Sequence, residues 1–197
     1  MTTERHPLGF FLPEGARLLM LGSFPPPKAR WSMDFFYPNI QNDMWRVMGL
    51  LFYADKDHFL ATPKAFDRDK AIRFCRERGI ALGDTAREVI RQKANASDKF
   101  LEVIVPIDLE AVLSELPACE AIVVTGQKAL ETLLGVLASA EDPVVVEAPK
   151  VGSSVTFVFA GRRLRLYRMP STSRAYPKPL AEKAAAYGAM LREVGIL

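Results

Sequence analysis

The residues best suited to chemistry lie in a segment where amides follow aromatic side chains, just ahead of a predicted helix. Tyr37, Asn39 and Asn42 occur within six residues of one another. Amides can hydrogen-bond the edge of a nucleobase, and aromatic rings can stack on its face. Asparagine is seldom buried without a specific partner, whereas an aromatic residue next to a helix, Tyr37 included, is more often part of the core. The segment therefore predicts part of a binding pocket, with a structural role left open for Tyr37.

A second candidate is the stiff turn after a short apolar strand. Residues 18–21 form a continuous apolar run, as expected of a strand covered on both faces, and Gly22, Ser23, Phe24 and Pro25 follow. Glycine allows close approach of a ligand, and the prolines fix φ and remove backbone donors. Open α/β sheets bind ligands at the carboxyl ends of their strands. The turn thus predicts a pocket wall, with a tight connection after a core strand as the alternative.

A third candidate is the hydroxyl-rich loop Ser171, Thr172, Ser173 and Arg174, which follows a predicted strand. Such a loop can bind phosphate through hydroxyls, backbone N–H groups and a guanidinium, although helix capping and turn formation are more common uses. The loop lies in a window without acidic residues, between Glu147 and Glu182, whose basic residues are Lys150, Arg162, Arg163, Arg165, Arg168, Arg174 and Lys178. One-signed segments attract polyanions. The window predicts a nucleic-acid surface, with a solvated basic hairpin as the alternative.

Helices and strands alternate along most of the chain, and these elements must position the three loops. The predicted strands are 18–21, 101–105, 121–124, 155–159 and 164–167. The predicted helices are 43–52, 67–77, 86–93, 109–116, 127–137 and 179–194. In this scheme Asp84 caps the helix 86–93, and residues 155–167 form a hairpin. Alternation of strands and helices predicts parallel pairing in a three-layer α/β/α sandwich.

The composition predicts one domain that spans residues 1–197. Apolar residues make up 49% of the 197-residue chain and charged residues 25%, which is typical of a soluble globular protein. Apolar runs are far shorter than a membrane span, and the N-terminus has no signal-peptide pattern, so we expect a cytoplasmic protein. Cys75 and Cys119 form no CxxC pair, which predicts two reduced, buried thiols rather than a disulfide or zinc site.

Several short motifs, taken in order, resemble those of the uracil-DNA glycosylase superfamily, and most closely its mismatch-specific and hypoxanthine-type branches. The motifs are Leu-Gly-Ser-Phe-Pro at 21–25, Asn-Asp-Met-Trp at 42–45, Gly-Ile-Ala-Leu-Gly-Asp at 79–84, Thr-Gly-Gln-Lys-Ala at 125–129 and Met-Pro-Ser-Thr-Ser at 169–173. The resemblance covers roughly residues 17–192. It implies a central, mainly parallel four-stranded sheet and a monofunctional enzyme without metal or other cofactor. Such enzymes flip a damaged base into a pocket and hydrolyse its N-glycosidic bond.

The resemblance also implies roles for single residues. Phe24 takes the place of the Asp or Asn that positions water in most branches, so it resembles a stacking platform for a flipped base. Asn42 matches the asparagine that orients water in the hypoxanthine-type branch, with Asn39 as second candidate. Asp84 resembles a family aspartate, and a capping role is equally compatible with its position.

In the loop near the C-terminus, Met169 takes the place of a histidine that stabilises the departing base, and neither His6 nor His58 lies in any of these loops. We therefore expect a slow enzyme, or one that acts on weaker glycosidic bonds. Ser171, Thr172 and Ser173 fit the loop that pinches the DNA backbone. Arg174 fits the side chain that fills the gap left by a flipped nucleotide, and Lys178 belongs to the basic window that would hold phosphates.

The first hypothesis is a DNA glycosylase that removes uracil or hypoxanthine from double- or single-stranded DNA in base-excision repair. We expect it to be monomeric, without a membrane partner, and cytoplasmic with access to the nucleoid. The alternative is a catalytically weak or inactive relative that binds DNA or RNA, or recognises lesions. A third class, binders of small nucleotides, is disfavoured because the chain has no GxGxxG or GxxxxGK[ST] loop.

Overall fold

The computed structural model describes residues 2–92 and 98–197. The strands are β1 (Thr3–Arg5), β2 (Leu18–Gly22), β3 (Leu60–Thr62), β4 (Ala65–Phe66), β5 (Ile80–Asp84), β6 (Ala86–Arg91), β7 (Leu101–Pro106), β8 (Ala121–Thr125), β9 (Ser153–Phe159) and β10 (Arg162–Met169). The α-helices are α1 (Met44–Tyr53), α2 (Arg68–Arg78), α3 (Leu109–Ser114), α4 (Gln127–Ala138) and α5 (Leu180–Glu193). Two short 3₁₀ turns cover Lys28–Arg30 and Asp98–Phe100.

The central sheet has the strand order β5-β2-β8-β10-β9. The first four strands are mutually parallel, and β9 is antiparallel to β10 at one edge. In the register of the parallel pairs, Gly22 lies opposite Asp84, and Met169 lies opposite Thr125. The carboxyl ends of four strands therefore meet at a single edge of the sheet.

Helices cover both faces of this sheet, which confirms the predicted three-layer sandwich. Side chains alternate along a strand, so Leu18 and Met20 face a core that includes side chains of α1, α2 and α5. Leu19 and Leu21 face the opposite core, against α3 and α4. All five residues of β2 are buried, as the continuous apolar run predicts.

The helix predicted over residues 86–93 is wrong. Ala86–Arg91 is β6, the middle strand of a separate sheet β1-β6-β7, and residue 93 lies outside the described residues. Antiparallel pairing with β1 and β7 supplies its backbone partners. The strand predicted at 101–105 is confirmed, but it belongs to this small sheet. The fourth parallel strand of the central sheet is β5, from a stretch predicted only as a lead-in to that helix.

The remaining predicted elements are confirmed within a few residues. Asp67 and Asp108 cap α2 and α3, each by accepting a hydrogen bond from a backbone N–H three residues ahead. The hairpin β9–β10 turns at Ala160 and Gly161, both with positive φ. Cys75 and Cys119 are buried free thiols. No helix within the described part of the chain is long and apolar enough to cross a membrane.

Candidate functional site

A cleft of about 820 Å³ opens at the carboxyl edge of the central sheet. The last residues of the four parallel strands, Gly22, Asp84, Thr125 and Met169, all line it. The cleft brings together predicted residues from four separated parts of the sequence: Gly22, Ser23, Phe24, Pro25, Tyr37, Asn39, Asn42, Asp84, Ser171, Thr172, Ser173 and Arg174. Lys178 is the exception, because it lies outside the lining and pairs with Glu182 at 3.3 Å.

Asp84 and Gly22 form the floor of the cleft. A Cβ atom on residue 22 would lie 2.4 Å from Oδ1 of Asp84, so only glycine leaves room for this carboxylate. The glycine of the first motif is thus required by close approach of a side chain, in addition to any turn. Asp84 is the last residue of β5 and the next element is β6, so the predicted role of Asp84 as a helix cap is wrong.

His6, which the sequence placed in none of the candidate loops, is the partner of Asp84. Its Nε2 lies 2.6 Å from Oδ2 of Asp84, and its side chain is fully buried. The imidazole packs edge-on against Phe24, with ring centroids 5.2 Å apart. β1 carries the N-terminal segment to this position by pairing with β6. No local signal marks His6, because the two residues of the pair are 78 positions apart.

Tyr37 lies over the ends of β2 and β8. Its hydroxyl is 3.2 Å from Oγ1 of Thr125 and 3.8 Å from the place where a Cβ on Gly22 would be. Burial raises the pKa of Tyr37 well above its ordinary value, because the phenolate would lose its hydration. Tyr37 also has a positive φ of 53°, which is unusual for a bulky residue and indicates that its position is enforced by the surrounding structure. Tyr37 is therefore a neutral hydrogen-bonding group of the pocket.

Asp98 is a second carboxylate in the lining of the cleft, and the sequence analysis did not predict it. Ser23 donates its hydroxyl hydrogen to Oδ2 of Asp98 at 2.7 Å. Burial raises the pKa of Asp98, and the Ser23 hydrogen bond opposes this in part. Lys99 and Lys128 also line the cleft, and the charge of Lys128 lowers the pKa of Asp98 in part. In residues 2–92 and 98–197, no group of three or more His, Cys, Asp and Glu side chains is arranged to hold a metal ion.

Phe24 is mostly buried, with 7% of its surface exposed in the lining of the cleft. Its ring packs with Ala86, Val89 and Leu101 of the small sheet. The guanidinium of Arg91 lies 5.9 Å from the ring centroid. Packing against the small sheet therefore holds the ring in place, and Phe24 contributes an aromatic residue to the lining of the cleft.

The two candidate asparagines are both fixed by turns at the start of α1. Oδ1 of Asn42 accepts from the N–H of Met44 at 2.9 Å, and Oδ1 of Asn39 accepts from the N–H of Gln41 at 3.0 Å. Asn42 thus binds the first N–H of α1, whereas Asp43, at which the predicted helix begins, makes no side-chain capping bond. An amide oxygen has two lone pairs, so each Oδ1 can accept a second hydrogen bond.

The carboxylate of Asp43 instead anchors the hydroxyl-rich loop. Its Oδ2 lies 3.0 Å from Nζ of Lys183, a lysine of α5 whose side chain is 1% exposed. The same ammonium donates to the carbonyl of Ser173 at 2.9 Å, and the N–H of Asp43 donates to the carbonyl of Thr172 at 2.8 Å. Arg174 completes the group, with Nε 3.4 Å from Oδ1 of Asp43. This network connects the wall that carries Asn42 to the predicted phosphate loop.

The structure divides the basic window between two uses. Arg162 donates to backbone carbonyls at and beyond the end of α3, and Arg165 pairs with Glu193 of α5. These two are structural, which corrects the expectation that the whole window faces a polyanion. Arg168 and Arg174 line the cleft. The side chain of Arg174 is half exposed and can reach a bound molecule.

Comparison with solved structures identifies the architecture. A presumed uracil DNA glycosylase from Methanosarcina acetivorans, solved by solution NMR, superimposes with a TM-score of 0.65. The alignment covers 98% of this chain and 99% of the other, at 19% sequence identity. The two chains share one fold.

No family model and no curated protein matches the sequence. At 19% sequence identity, the comparison shows only that the two proteins have the same fold. The chemistry has to be argued from the side chains of this cleft.

Proposed function

We propose that the protein is a DNA glycosylase of the uracil-DNA glycosylase superfamily, acting on uracil or hypoxanthine in DNA. One observation carries the proposal: a single cleft holds an aromatic wall, a buried carboxylate and two fixed amides, beside a loop of hydroxyls and an arginine. A flipped base needs a stacking surface and hydrogen-bond partners for its edge. The DNA backbone needs hydroxyls, N–H groups and cations beside that pocket.

In this proposal the base enters beside Phe24, and Asp84 contacts its edge from the floor of the cleft. Asn42 orients the attacking water through the second lone pair of Oδ1, because the Met44 N–H holds that oxygen in place. Asn39 is the alternative, since it lines the same cleft and is held in the same way. The water oxygen bonds to C1′ of the deoxyribose while the C1′–N bond breaks. The electron pair of that bond leaves with the base.

Hydrolysis also releases one proton from the attacking water. Asp98 is the carboxylate positioned beside the first loop, where the resemblance places a water-positioning residue and this chain has Phe24 instead. Its raised pKa makes it a better proton acceptor than an ordinary aspartate, provided that it is ionised. We assign Asp98 as the candidate acceptor for the water proton.

The hydroxyls of Ser171 and Ser173 are proposed to contact the DNA backbone, and the half-exposed Arg174 is proposed to fill the gap left by the flipped nucleotide. The Ser171 and Ser173 hydroxyl oxygens each accept a backbone N–H within the loop, which holds their orientation. Lys183 and Tyr187 fix the loop from beneath by binding the carbonyls of Ser173 and Pro170. A loop fixed in this way loses little conformational freedom when it binds a phosphate.

The second candidate function is binding of DNA or RNA, or of lesions, without catalysis. Met169 favours it, because this residue is buried at the place where the resemblance has a histidine that stabilises the departing base. One well-placed hydrogen bond to developing charge contributes roughly 3 kcal/mol to catalysis. A protein without it would be slow or inactive.

An excision assay distinguishes the two functions. Duplexes and single strands with one uracil, hypoxanthine or xanthine, and thymine mispairs, are incubated with excess protein and then treated with alkali. Strand cleavage at the lesion supports a glycosylase. Binding of lesion DNA without cleavage of any member of the panel would refute the enzyme and support the second function.

A further inference from the structure

The two oxygens of Asp84 have different surroundings. Oδ2 accepts a hydrogen bond from His6, whereas Oδ1 lies against the Cα of Gly22 at the floor of the cleft. Within residues 2–92 and 98–197, Oδ1 has no hydrogen-bond donor of its own. Asp84 lines the cleft beside Tyr37 and Thr125. Oδ1 is therefore the oxygen available to a bound molecule.

The orientation of His6 determines what Asp84 can offer. Nδ1 of His6 accepts the backbone N–H of Leu8 at 3.1 Å, so this nitrogen carries a lone pair. The ring hydrogen is then on Nε2, the atom 2.6 Å from Oδ2 of Asp84. The backbone of residue 8 thus fixes His6 as a donor toward Asp84. An ionised carboxylate that accepts from His6 has only acceptor capacity left at Oδ1.

An acceptor at this position can discriminate cytosine and adenine from their deamination products. Cytosine has an unprotonated N3 and adenine an unprotonated N1, so both present a lone pair at that position. Deamination gives uracil with N3–H and hypoxanthine with N1–H, which present a donor. Oδ1 of Asp84 forms a hydrogen bond with the donor and repels the lone pair.

We propose that His6 is a positioning residue that holds Asp84 as an acceptor, and that the cleft thereby favours uracil and hypoxanthine, which carry a ring N–H, over cytosine and adenine, which do not. The inference rests on the proposed function in that the ligand is a nucleobase. It does not require turnover.

The substitution Asp84→Asn provides a sharp test, because His6 dictates which way the amide faces. The Nε2–H of His6 requires the amide oxygen as its partner, so the NH₂ group must face the cleft. The pocket then offers a donor, which suits cytosine and repels uracil. In the double variant His6→Leu/Asp84→Asn the amide is free to rotate, so its oxygen can again face uracil.

The measurement is affinity for a duplex that carries one 2′-fluoro-deoxyuridine or 2′-fluoro-deoxycytidine opposite a tetrahydrofuran abasic analogue. The fluorine prevents hydrolysis, and the unpaired position removes differences in base-pairing cost. A charge-assisted hydrogen bond predicts about a tenfold or larger preference of the natural protein for uracil. Asp84→Asn should reverse this preference, and the double variant should restore at least part of it. Thermal unfolding of each variant provides the folding control.

Retention of the uracil preference by Asp84→Asn would overturn the inference, as would a double variant that behaves like Asp84→Asn. Absence of any uracil preference in the natural protein would also overturn it. Failure of the proposed function looks different: no lesion is excised, while the affinity pattern is still present. Excision without the affinity pattern would keep the proposed function and refute the role of His6.

Discussion

The buried ion pair between Lys183 and Asp43 provides the strongest prediction about stability. Lys183→Met keeps the length of the side chain but removes the ammonium that binds Asp43 and the Ser173 carbonyl. The carboxylate of Asp43 is left buried, with Arg174 at 3.4 Å as its remaining cation among the described residues. Breaking a buried ion pair from one side costs about 3–5 kcal/mol. Because Arg174 stays, we expect the lower end of this range.

A loss of about 3 kcal/mol should lower the melting temperature by roughly 6–12 °C in a chain of this size. Urea unfolding followed by tryptophan fluorescence measures the free energy directly. Lys178→Met is the matched control: it removes an ammonium at the surface that pairs with Glu182 four residues on. Exposed pairs of this kind contribute about 0.5 kcal/mol or less.

The double variant Asp43→Asn/Lys183→Met completes a mutant cycle. Once the carboxylate is neutral, the missing ammonium matters less, so the double variant should lose less than the sum of the two single losses. A coupling of about 1–3 kcal/mol is expected for groups in direct contact. A loss below about 1 kcal/mol in Lys183→Met, or additive losses in the cycle, would refute the anchoring role of this pair.

Three further predictions follow from single contacts. Gly22→Ala places a Cβ 2.4 Å from Oδ1 of Asp84, so it should lower the free energy of unfolding by about 1–3 kcal/mol in urea and remove most of the affinity for lesion DNA in a titration. Unchanged affinity would contradict the assignment of Gly22 and Asp84 to the floor of the binding cleft. In the natural protein the single-turnover excision rate should fall at acid pH, because protonation of Asp98 removes the proton acceptor, and its raised pKa places this fall at a higher pH than for an ordinary aspartate. Asp98→Asn should abolish this dependence on pH. An unaltered pH profile would exclude Asp98 as the acceptor. Arg162→Gln should lower the free energy of unfolding by about 2 kcal/mol without changing DNA affinity, because the guanidinium of Arg162 donates its hydrogen bonds to backbone carbonyls of the protein. Reduced DNA affinity in a folded variant would contradict the structural role of Arg162.

Local patterns in the sequence predict the layers and most elements of the fold. The apolar run at 18–21 identifies β2, and two helices predicted to begin at or next to an aspartate are capped by Asp67 and Asp108 in the structure. The error at 86–93 has a physical reason. This stretch is rich in helix formers such as Ala, Arg and Glu, but pairing on both sides with β1 and β7 outweighs local propensity.

The parts of the site that the sequence could not predict depend on contacts between distant residues. His6 and Asp84 are 78 positions apart, Ser23 and Asp98 are 75 apart, and Asp43 and Lys183 are 140 apart. No local spacing records such pairs, because the sheet edge and the packed helices bring them together. Motif order located the loops of the cleft, while the fold supplies the partners that orient them.

The central claim is tested most directly by single-turnover excision of uracil or hypoxanthine from a duplex by the natural protein and by Asn42→Ser. Serine keeps an acceptor for the Met44 N–H, so α1 should stay capped while the amide is lost. Asn39→Ser is the matched comparison for the alternative water-orienting residue. The account predicts excision by the natural protein, a rate reduced by about a hundredfold or more in one of the two variants, and unchanged affinity for DNA in both. Absence of excision by the natural protein, or full activity of both variants, would contradict it.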